Sequence, residues 1–354
     1  MERDSLTKTS RVVVKFGTGI LTNRSKQIDP RQIEQLVGQV AAQRQAGREV
    51  IVVSSGAVGA GMGVLNMAKR PTDLSDLQAC AAVGQSALMS TYSELFAKHN
   101  LQVAQVLLTH DDLEDKDRHL NARNTLVSLL AKGVIPIVNE NDAVSYTELK
   151  FGDNDWLASL VACLLPADLL IILTTVDGLV ENFGKKNPYT IPVVEKIDAN
   201  IQKLAGGTLS TTAVGGMEAK IRAAKMTART GIPLVIASGK KKRVIANVVD
   251  GKEEGTFFVP REGKLKGRKR WIAFFHHPKG SLWVDDGARF ALRDKGKSLL
   301  PPGVSQCVGE FSKGDVVCIC DLEGTEFSRG ISRFDAEEIR ARKLKGVEIV
   351  HRDD

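Results

Sequence analysis

Long apolar runs are missing from this sequence. The longest apolar stretch, residues 157–173, is interrupted by Ser159, Pro166 and Asp168, and a segment of this composition does not span a membrane. The chain begins MERDSLTKTS, which lacks the apolar segment of a secretory signal peptide. The sequence therefore predicts a protein without membrane spans, located in the cytoplasm.

Cysteine is scarce, and no group of cysteines and histidines has the spacing of a metal site. The chain has five cysteines, an odd number, and no CxxC pair, so neither a disulfide framework nor a zinc site is expected. This usage suits a reducing compartment. The cysteines stand mostly among apolar residues and are predicted to be core thiols: Cys80, Cys163, Cys307, Cys318 and Cys320.

Well-known catalytic and nucleotide-binding patterns are absent as well. The glycine spacings fit neither a P-loop nor the dinucleotide-binding fingerprint. We also find no pattern of a Ser/His triad.

The chain has enough hydrophobic residues for a large core, since they make up 43% of its 354 residues, and this length suggests two domains. The net charge is +7, with basic clusters at residues 240–243 and 264–270. Such clusters mark solvated surface or linkers, or else meet phosphates.

Strands and helices alternate over the first 260 or so residues. Strands are predicted at 11–16, 49–54, 103–108, 134–138, 169–174 and 233–237, and helices at 30–46, 77–98, 119–132, 153–164 and 217–230. For the helix at 30–46, Asp29 is the expected N-cap and Gln32 would complete a capping box. The alternation predicts an α/β fold, a three-layer αβα sandwich around a mainly parallel sheet. Ligands of such sheets bind beyond the carboxyl ends of the strands.

The sequence changes character near residue 261. A first domain is predicted over 1–261, a basic linker over 262–270 and a small β-rich domain over 271–354. Strand-like pieces lie at 271–275, 281–284 and 316–319, and a basic helix is expected near 335–345. Three aromatic residues of the first piece are predicted to be core residues, with stacking on nucleic-acid bases as the alternative: Trp271, Phe274 and Phe275.

A lysine and two glycines stand where the first predicted strand ends. Lys15 directly follows three valines, and Gly17 and Gly19 come next in the motif KFGTG. Glycine lets backbone N–H groups approach an anion closely, and the lysine adds positive charge. The alternative is a tight turn with a solvated lysine.

Polar residues also follow other predicted strands or begin helices. Ser54, Ser55 and Gly56 follow the second strand, and the sequence NEND over 139–142 follows the fourth. An acid–amide–acid sequence opens the helix at 153–164, and one N-cap explains only one of its two acids. The glycine turn at 214–216 leads into a helix with Lys220 near its start, where the helix dipole disfavours a cation unless an anion is bound. Two lysines, N–H groups and orienting acids together suit phosphoryl transfer.

The motifs KFGTG, VVSSGAV, AAVGQS, QVLLT, HLNAR, IVNENDAV, FGDNDWLA and GGMEAK occur in this order. In this set the first domain resembles the glutamate 5-kinases of the amino-acid kinase family. The downstream pieces RKRW, VDDGA, SLLPPGV and GEFSKGDVVCICDLEG resemble the C-terminal PUA domain of that family. The resemblance covers nearly the whole chain.

The resemblance implies an ATP-dependent phosphotransferase with a carboxyl acceptor, which converts L-glutamate to L-glutamyl 5-phosphate in the first step of proline synthesis. Lys15 and Lys220 would hold the transferring phosphate, and Asp155 would orient them. The implied glutamate-binding residues are Ser55, Asp142, Asp153 and Asn154. The implied nucleotide-binding residues are Lys15, Gly17, Thr174, Thr175, Val214, Gly215, Gly216, Met217, Glu218, Ala219 and Lys220.

The resemblance also implies Mg²⁺ that arrives with ATP, few or no protein ligands to it, and inhibition by proline. A homo-oligomer and handover of the product to glutamyl-phosphate reductase are further expectations. Two positions on the nucleotide side depart from the family: Thr175 replaces a common acid, and Val214 replaces a frequent threonine. Two alternatives stay open, namely a kinase for another carboxylate or carbamate, and an RNA-binding protein with a vestigial kinase fold. The retained Lys15 and Lys220 argue against the second.

Overall fold

The computed structural model describes residues 2–23, 27–144, 154–184, 187–206, 216–261, 278–344 and 346–353. The chain divides into two compact units, Met1–Lys264 and Leu265–Asp354. No helix within the described ranges is long and apolar enough to cross a bilayer.

An eight-stranded sheet forms the centre of the first unit, in the order β3-β4-β2-β1-β5-β9-β10-β8. Neighbouring strands are parallel except for the antiparallel pair β9–β10. The strands are β1 Arg11–Phe16, β2 Glu49–Ser54, β3 Val103–Leu108, β4 Ile135–Glu140, β5 Leu169–Thr174, β8 Val193–Val194, β9 Leu234–Ser238 and β10 Thr256–Phe258. A separate hairpin joins β6 Val180–Glu181 to β7 Tyr189–Thr190.

Helices cover both faces of this sheet, so the predicted αβα architecture is confirmed. They are α1 Thr18–Leu21, α2 Pro30–Gln45, α3 Ala57–Val64, α4 Leu74–Ala97, α5 His110–Glu114, α6 Lys116–Ala131, α7 Asn154–Leu164, α8 Ala199–Ala205, α9 Met217–Arg229 and α10 Val244–Val249, with a 3₁₀ turn at Arg3–Lys8. Helices α2 and α4 share one apolar core with alternate residues of the central strands. Helix α7 packs on β1 and β5 and against α9.

The alternation of side chains along β1 decides where its lysine lies. Val12, Val14 and Phe16 belong to the core that contains α2 and α4. Successive side chains of a strand point to opposite faces. Lys15 therefore lies on the other face, the one that α7 and α9 cover.

Helix α2 shows what local sequence rules predict well and where they fail. Asp29 caps it by accepting from the backbone N–H groups of Arg31 and Gln32, as predicted. The predicted capping box is wrong, because the Asp29 N–H donates to the Leu21 carbonyl and the Gln32 amide donates to the carbonyl of Gly239. A tertiary contact has taken the side chain that the box would need.

Most predicted elements are found within a few residues of their expected bounds. The strand predicted at 134–138 is wrong at its end, because β4 continues through Asn139 and Glu140, which pair with Leu107 and Leu108 of β3. In the first unit, helices α1, α3, α5, α8 and α10 and the short strands β6, β7, β8 and β10 were not predicted. Two- and three-residue strands are too short to show a period, and the glycines of α3 conceal its helical pattern.

The second unit contains a four-stranded sheet in the order β12-β11-β13-β14. Its strands are β11 Gly280–Val284, β12 Val304–Gly309, β13 Val316–Cys320 and β14 Glu326–Ile331, and its helices are α11 Asp286–Arg293 and α12 Ala336–Arg340, with a 3₁₀ turn at Pro301–Gly303. The basic helix predicted near 335–345 is shorter than expected and has acidic residues in its first turn. The predicted linker and the piece at 271–275, with its three aromatic residues, lie outside the described residues.

None of the five cysteines, all of which the structure describes, forms a disulfide. Cys80, Cys163 and Cys320 are buried, as predicted, whereas Cys307 and Cys318 are only half-buried. Burial raises the pKa of the Cys318 thiol to about 12, and a hydrogen bond to Glu326 acts in the same direction. This thiol therefore stays protonated and unreactive at neutral pH.

Candidate active site

Three buried charged residues meet where β1, α7 and α9 come together. Lys15 Nζ lies 2.6 Å from Asp155 Oδ1, and Lys220 Nζ lies 2.8 Å from Asp155 Oδ2. The exposed fractions are 5% for each lysine and 1% for the aspartate. One carboxylate thus holds two ammonium groups side by side, and the group carries a net positive charge.

The electrostatics of Asp155 result from two opposing effects. Burial by itself would raise the pKa of this carboxyl, but the ammonium groups of Lys15 and Lys220 outweigh burial and hold the pKa below its ordinary value. Asp155 is therefore ionised at neutral pH and neutralises one of its two lysines.

Each member of this group is placed by a different element. Lys15 stands near the carboxyl end of β1, between Val53 of β2 and Ile172 of β5. Asp155 is the second residue of α7, and Lys220 is the fourth residue of α9. Since α7 packs against α9 and on β1, the two helix starts meet the strand end on one face of the sheet.

A chain of buried amides adjoins the charged group. Asn154 Nδ2 donates to the Ser54 carbonyl at 2.8 Å, to Ser55 Oγ at 3.0 Å and to Asn139 Oδ1 at 2.9 Å. Asn139 Nδ2 in turn donates to Gln85 Oε1 at 2.8 Å. The four residues whose side chains form this network are all buried: Ser55, Gln85, Asn139 and Asn154.

Glycines allow the close approaches that bring these side chains together. Gly56 has φ of +101° at the N-terminus of α3, a conformation that L side chains rarely adopt, and it follows Ser55 directly. A Cβ on Gly84 of α4 would lie 1.8 Å from the Ala57 carbonyl oxygen, so only glycine lets α4 pack on α3 there. This contact places the next residue, Gln85, against Asn139.

A cavity of about 540 Å³ opens beside the amide chain. Gln85 of α4, Gln105 of β3 and the turn that follows β4 line it, and that turn includes Asp142. Glu140, at the end of β4, also lines it. The predicted glutamate-binding residues Ser55 and Asn154 therefore lie in one hydrogen-bonded network, and Asp142 lines a cavity that the same network borders.

On the nucleotide side, the structure describes some of the predicted residues and not others. Gly216 is the N-cap of α9, and Met217, Glu218 and Ala219 form its first turn, where backbone N–H groups lack helical partners. Thr174 ends β5, and Thr175 is exposed. Val214, Gly215 and Asp153 lie outside the described residues.

Gly17 was predicted to let backbone N–H groups approach an anion, but in the structure its own N–H group binds within the protein. Its N–H donates to the Leu173 carbonyl at 3.1 Å, and a Cβ there would lie 3.1 Å from the same oxygen. The glycine therefore permits a close approach between two strand ends. Its contact with a nucleotide stays a prediction.

One basic cluster takes part in ion pairs. Lys241 Nζ lies 2.5 Å from Glu254 Oε1 and 3.3 Å from Asp177 Oδ1. The hydrogen bond that Lys241 donates to Glu254 raises the pKa of Lys241, although partial burial opposes it. The cluster predicted at 240–243 thus includes one paired residue near the end of β9.

The described residues offer no protein cage for a metal ion. Within them, no group of three or more His, Cys, Asp or Glu side chains is close enough to hold one. Asp155, the carboxylate at the centre of the site, already has both oxygens within 3 Å of an ammonium group.

The sequence missed two members of the network, Asn139 and Gln85. Asn139 was placed after its strand, whereas it lies within β4 with its side chain buried. Two signals were available in the sequence. Asn139 directly follows an apolar run, and a glycine directly precedes Gln85.

Comparison with known proteins agrees with this architecture. The model of the amino acid kinase family matches residues 10–238, and the PUA domain model matches residues 280–352. A carbamate kinase from Giardia lamblia bound to AMP-PNP shares the fold, with a TM-score of 0.53 and 19% identity over 72% of this chain and 99% of its own.

Curated relatives match over the whole length. A glutamate 5-kinase from Methylococcus capsulatus is 47% identical over 341 residues, which cover 96% of this chain and 91% of the relative. One from Pelobacter propionicus is 42% identical over 368 residues, which cover 100% and 99%. The chain therefore belongs to the amino acid kinase family and, within it, to the glutamate 5-kinases, and it carries a PUA domain.

Proposed function

We propose that the site transfers the γ-phosphoryl group of ATP to the side-chain carboxylate of L-glutamate and so forms L-glutamyl 5-phosphate. The observation that carries this proposal is the buried Lys15–Asp155–Lys220 group, with two cations on one carboxylate. Phosphoryl transfer to a carboxylate brings two anions together, and positive charge in a dry site relieves their repulsion.

The reaction needs no general base. The side-chain carboxyl of glutamate has a pKa of about 4.3 and is ionised at neutral pH. One of its oxygens attacks the γ-phosphorus, the bond from that phosphorus to the β–γ bridging oxygen breaks, and ADP leaves with the electron pair. Lys15 and Lys220 would stabilise the charge on the transferring oxygens, and Asp155 would keep both ammonium groups in place.

The amide network supports a role in holding the amino acid. Ser55 Oγ accepts from Asn154, so its own hydrogen can be donated to a carboxylate oxygen of the substrate. The Asn154 amide uses its NH₂ group within the protein, and its carbonyl oxygen can accept from an α-ammonium. We place Asp142 and Asp153 with these residues as further partners of the ammonium group.

Residues 214–220, with Gly17, Thr174 and Thr175, are proposed to contact the nucleotide. The N-terminus of α9 supports this assignment because its N–H groups and helix dipole attract phosphate. Magnesium would arrive with ATP and bridge its phosphates, so it belongs to the substrate MgATP.

Trapping of the product tests the proposal directly. Acyl phosphates react with hydroxylamine to give hydroxamates, so the protein with MgATP and hydroxylamine should form hydroxamate from L-glutamate. L-aspartate, N-acetyl-L-glutamate and bicarbonate with ammonia serve as comparison acceptors. Hydroxamate formed faster from L-aspartate or N-acetyl-L-glutamate, or ADP released faster with bicarbonate and ammonia, would contradict the assigned substrate.

Replacement of Asn154 by alanine should raise the KM for glutamate by about tenfold or more and change the KM for ATP much less. The variant removes one group that binds only the amino acid, on the scale of one or two hydrogen bonds. Initial rates with each substrate varied in turn measure both constants. A similar rise in both would indicate that the start of α7 has collapsed.

The resemblance to the glutamate 5-kinases motivates finer proposals about role and regulation. We propose that the reaction is the first step of proline synthesis, in the cytoplasm, and that proline inhibits it. Proline shares an α-carboxylate and an α-nitrogen with glutamate, so it would compete for the same groups. Three further expectations stay predictions: a homo-oligomer, handover of product to glutamyl-phosphate reductase, and RNA binding by the PUA domain.

We propose domain bounds at 1–261 and 271–354, with a linker over 262–270. The two family models match residues 10–238 and 280–352, which lie within the two proposed domains.

A further inference from the structure

The chain of buried amides runs in one direction, and that direction is set by its first member. Asn154 donates to the Ser54 carbonyl, an oxygen that can only accept. Its NH₂ group must therefore face Ser54 and, with it, Asn139. Asn139 presents its oxygen to Asn154 and its NH₂ group to Gln85, so Gln85 accepts through Oε1.

This order leaves the NH₂ group of Gln85 at the end of the amide network that is farthest from Asn154. Gln85 is 8% exposed, and its Nε2 atom is buried without a hydrogen-bond partner among the residues that the structure describes. A buried donor without a partner is costly, and proteins rarely keep one without a reason. Gln85 also lines the 540 Å³ cavity. A buried donor without an acceptor, on a residue that lines a cavity, indicates an acceptor on a ligand.

The other polar groups of the cavity suggest which ligand this is. Glu140 and Asp142 line the same cavity and supply the negative charge that attracts an ammonium group. A donor amide beside two carboxylates matches the two charged groups on the α-carbon of an amino acid. The side-chain carboxylate of the substrate must instead lie at Lys15 and Lys220, where the phosphoryl group is transferred.

We propose that Gln85 Nε2 donates a hydrogen bond to the α-carboxylate of the amino-acid substrate and so makes Gln85 a specificity-determining residue. This inference rests on the proposed function. The same side chain has a second task, since its Oε1 atom fixes the Asn139 amide and, through it, Asn154. The donor and acceptor atoms of one amide thus serve substrate and protein separately.

Two substitutions separate these tasks. Gln85→Glu keeps an oxygen for Asn139 but replaces the donor by a second, negatively charged oxygen that would repel a carboxylate. Gln85→Met has nearly the same shape and loses both atoms. If Gln85 contacts the α-carboxylate, the KM for glutamate should rise at least about tenfold in Gln85→Met and further in Gln85→Glu, with the KM for ATP within about twofold of the parent.

4-Aminobutyrate, which is glutamate without its α-carboxylate, provides the decisive comparison. In Gln85→Met the kcat/KM for glutamate should fall about tenfold further than the kcat/KM for this acceptor, because both acceptors lose the anchored Asn139 and only glutamate also loses the hydrogen bond to its α-carboxylate. Gln202 is an exposed residue of α8, so Gln202→Glu and Gln202→Met are matched controls that should leave both substrates unaffected.

Each outcome decides the inference. A KM for glutamate in Gln85→Glu close to that of the parent, or a larger rise in Gln85→Met than in Gln85→Glu, would reduce Gln85 to an anchor for Asn139 and overturn it. Equal losses on glutamate and 4-aminobutyrate in Gln85→Met would also overturn it, even if Gln85→Glu fails to fold. Failure of the proposed function is distinct, because the parent protein would then form no hydroxamate from glutamate.

Discussion

Replacement of Lys15 or Lys220 by alanine is expected to lower kcat by about a hundredfold or more, the scale of losing one preorganised electrostatic stabiliser. Each lysine is almost completely buried against Asp155, so no solvent ion can take over its position with equal geometry. The KM for glutamate should change much less than kcat, because the lost interaction acts mainly on charge that develops during transfer.

A lysine of the same helix provides the control for this experiment. Lys225 lies one turn beyond Lys220 on α9 and is exposed. Lys225→Ala should therefore keep the kcat of the parent. Thermal melts of all three variants show whether each is folded, and a folded Lys15→Ala or Lys220→Ala protein with normal kcat would refute the assigned role.

Replacement of Asp155 by asparagine is expected to reduce the free energy of unfolding by about 3–5 kcal/mol, the cost of removing one member of a buried ion pair. The neutral amide would remove the carboxylate that both buried ammonium groups contact. Urea denaturation of the parent and the variant measures this difference. Glu34→Gln, which removes the exposed ion pair with Lys98, should leave the denaturation midpoint almost unchanged.

The pH dependence of this difference follows from the sign of the shift. The pKa of Asp155 is lowered from 3.8 in the folded protein, so its stabilising effect is complete above that ordinary value and is lost as the pH falls through the lower folded-state value. The stability difference between the parent and Asp155→Asn should therefore be constant near neutral pH and shrink only in strong acid. A difference that disappears already above pH 5 would contradict the ion-pair interpretation.

Several elements could be predicted because their signals are local. The apolar runs of β1, β2, β3 and β5 predicted those strands with their observed bounds. Parallel strands place their carboxyl ends at one edge of a sheet. That rule brought Lys15, Ser55 and the start of α7 into one predicted site before any contact was known.

Other predictions failed where a distant residue competes for a local group. Gln32 was expected to cap its own helix, but the carbonyl of Gly239, from the other half of the unit, takes its amide. The end of β4 was misplaced because Asn139 and Glu140 are polar, and their pairing with β3 outweighs that polarity. No short sequence window contains the partner that decides either case.

The sequence by itself determined the kinds of residue at the strand ends: two lysines, an acid to orient them, and small or amide side chains for a substrate. Only the tertiary structure decided that one carboxylate holds both lysines, and that Gln85 meets Asn139 from 54 positions away along the chain. The physical reason is that a charge or an amide is a property of one residue. An ion pair or an amide chain depends on packing, here on α7 lying against α9 and on Gly84 letting α4 reach α3.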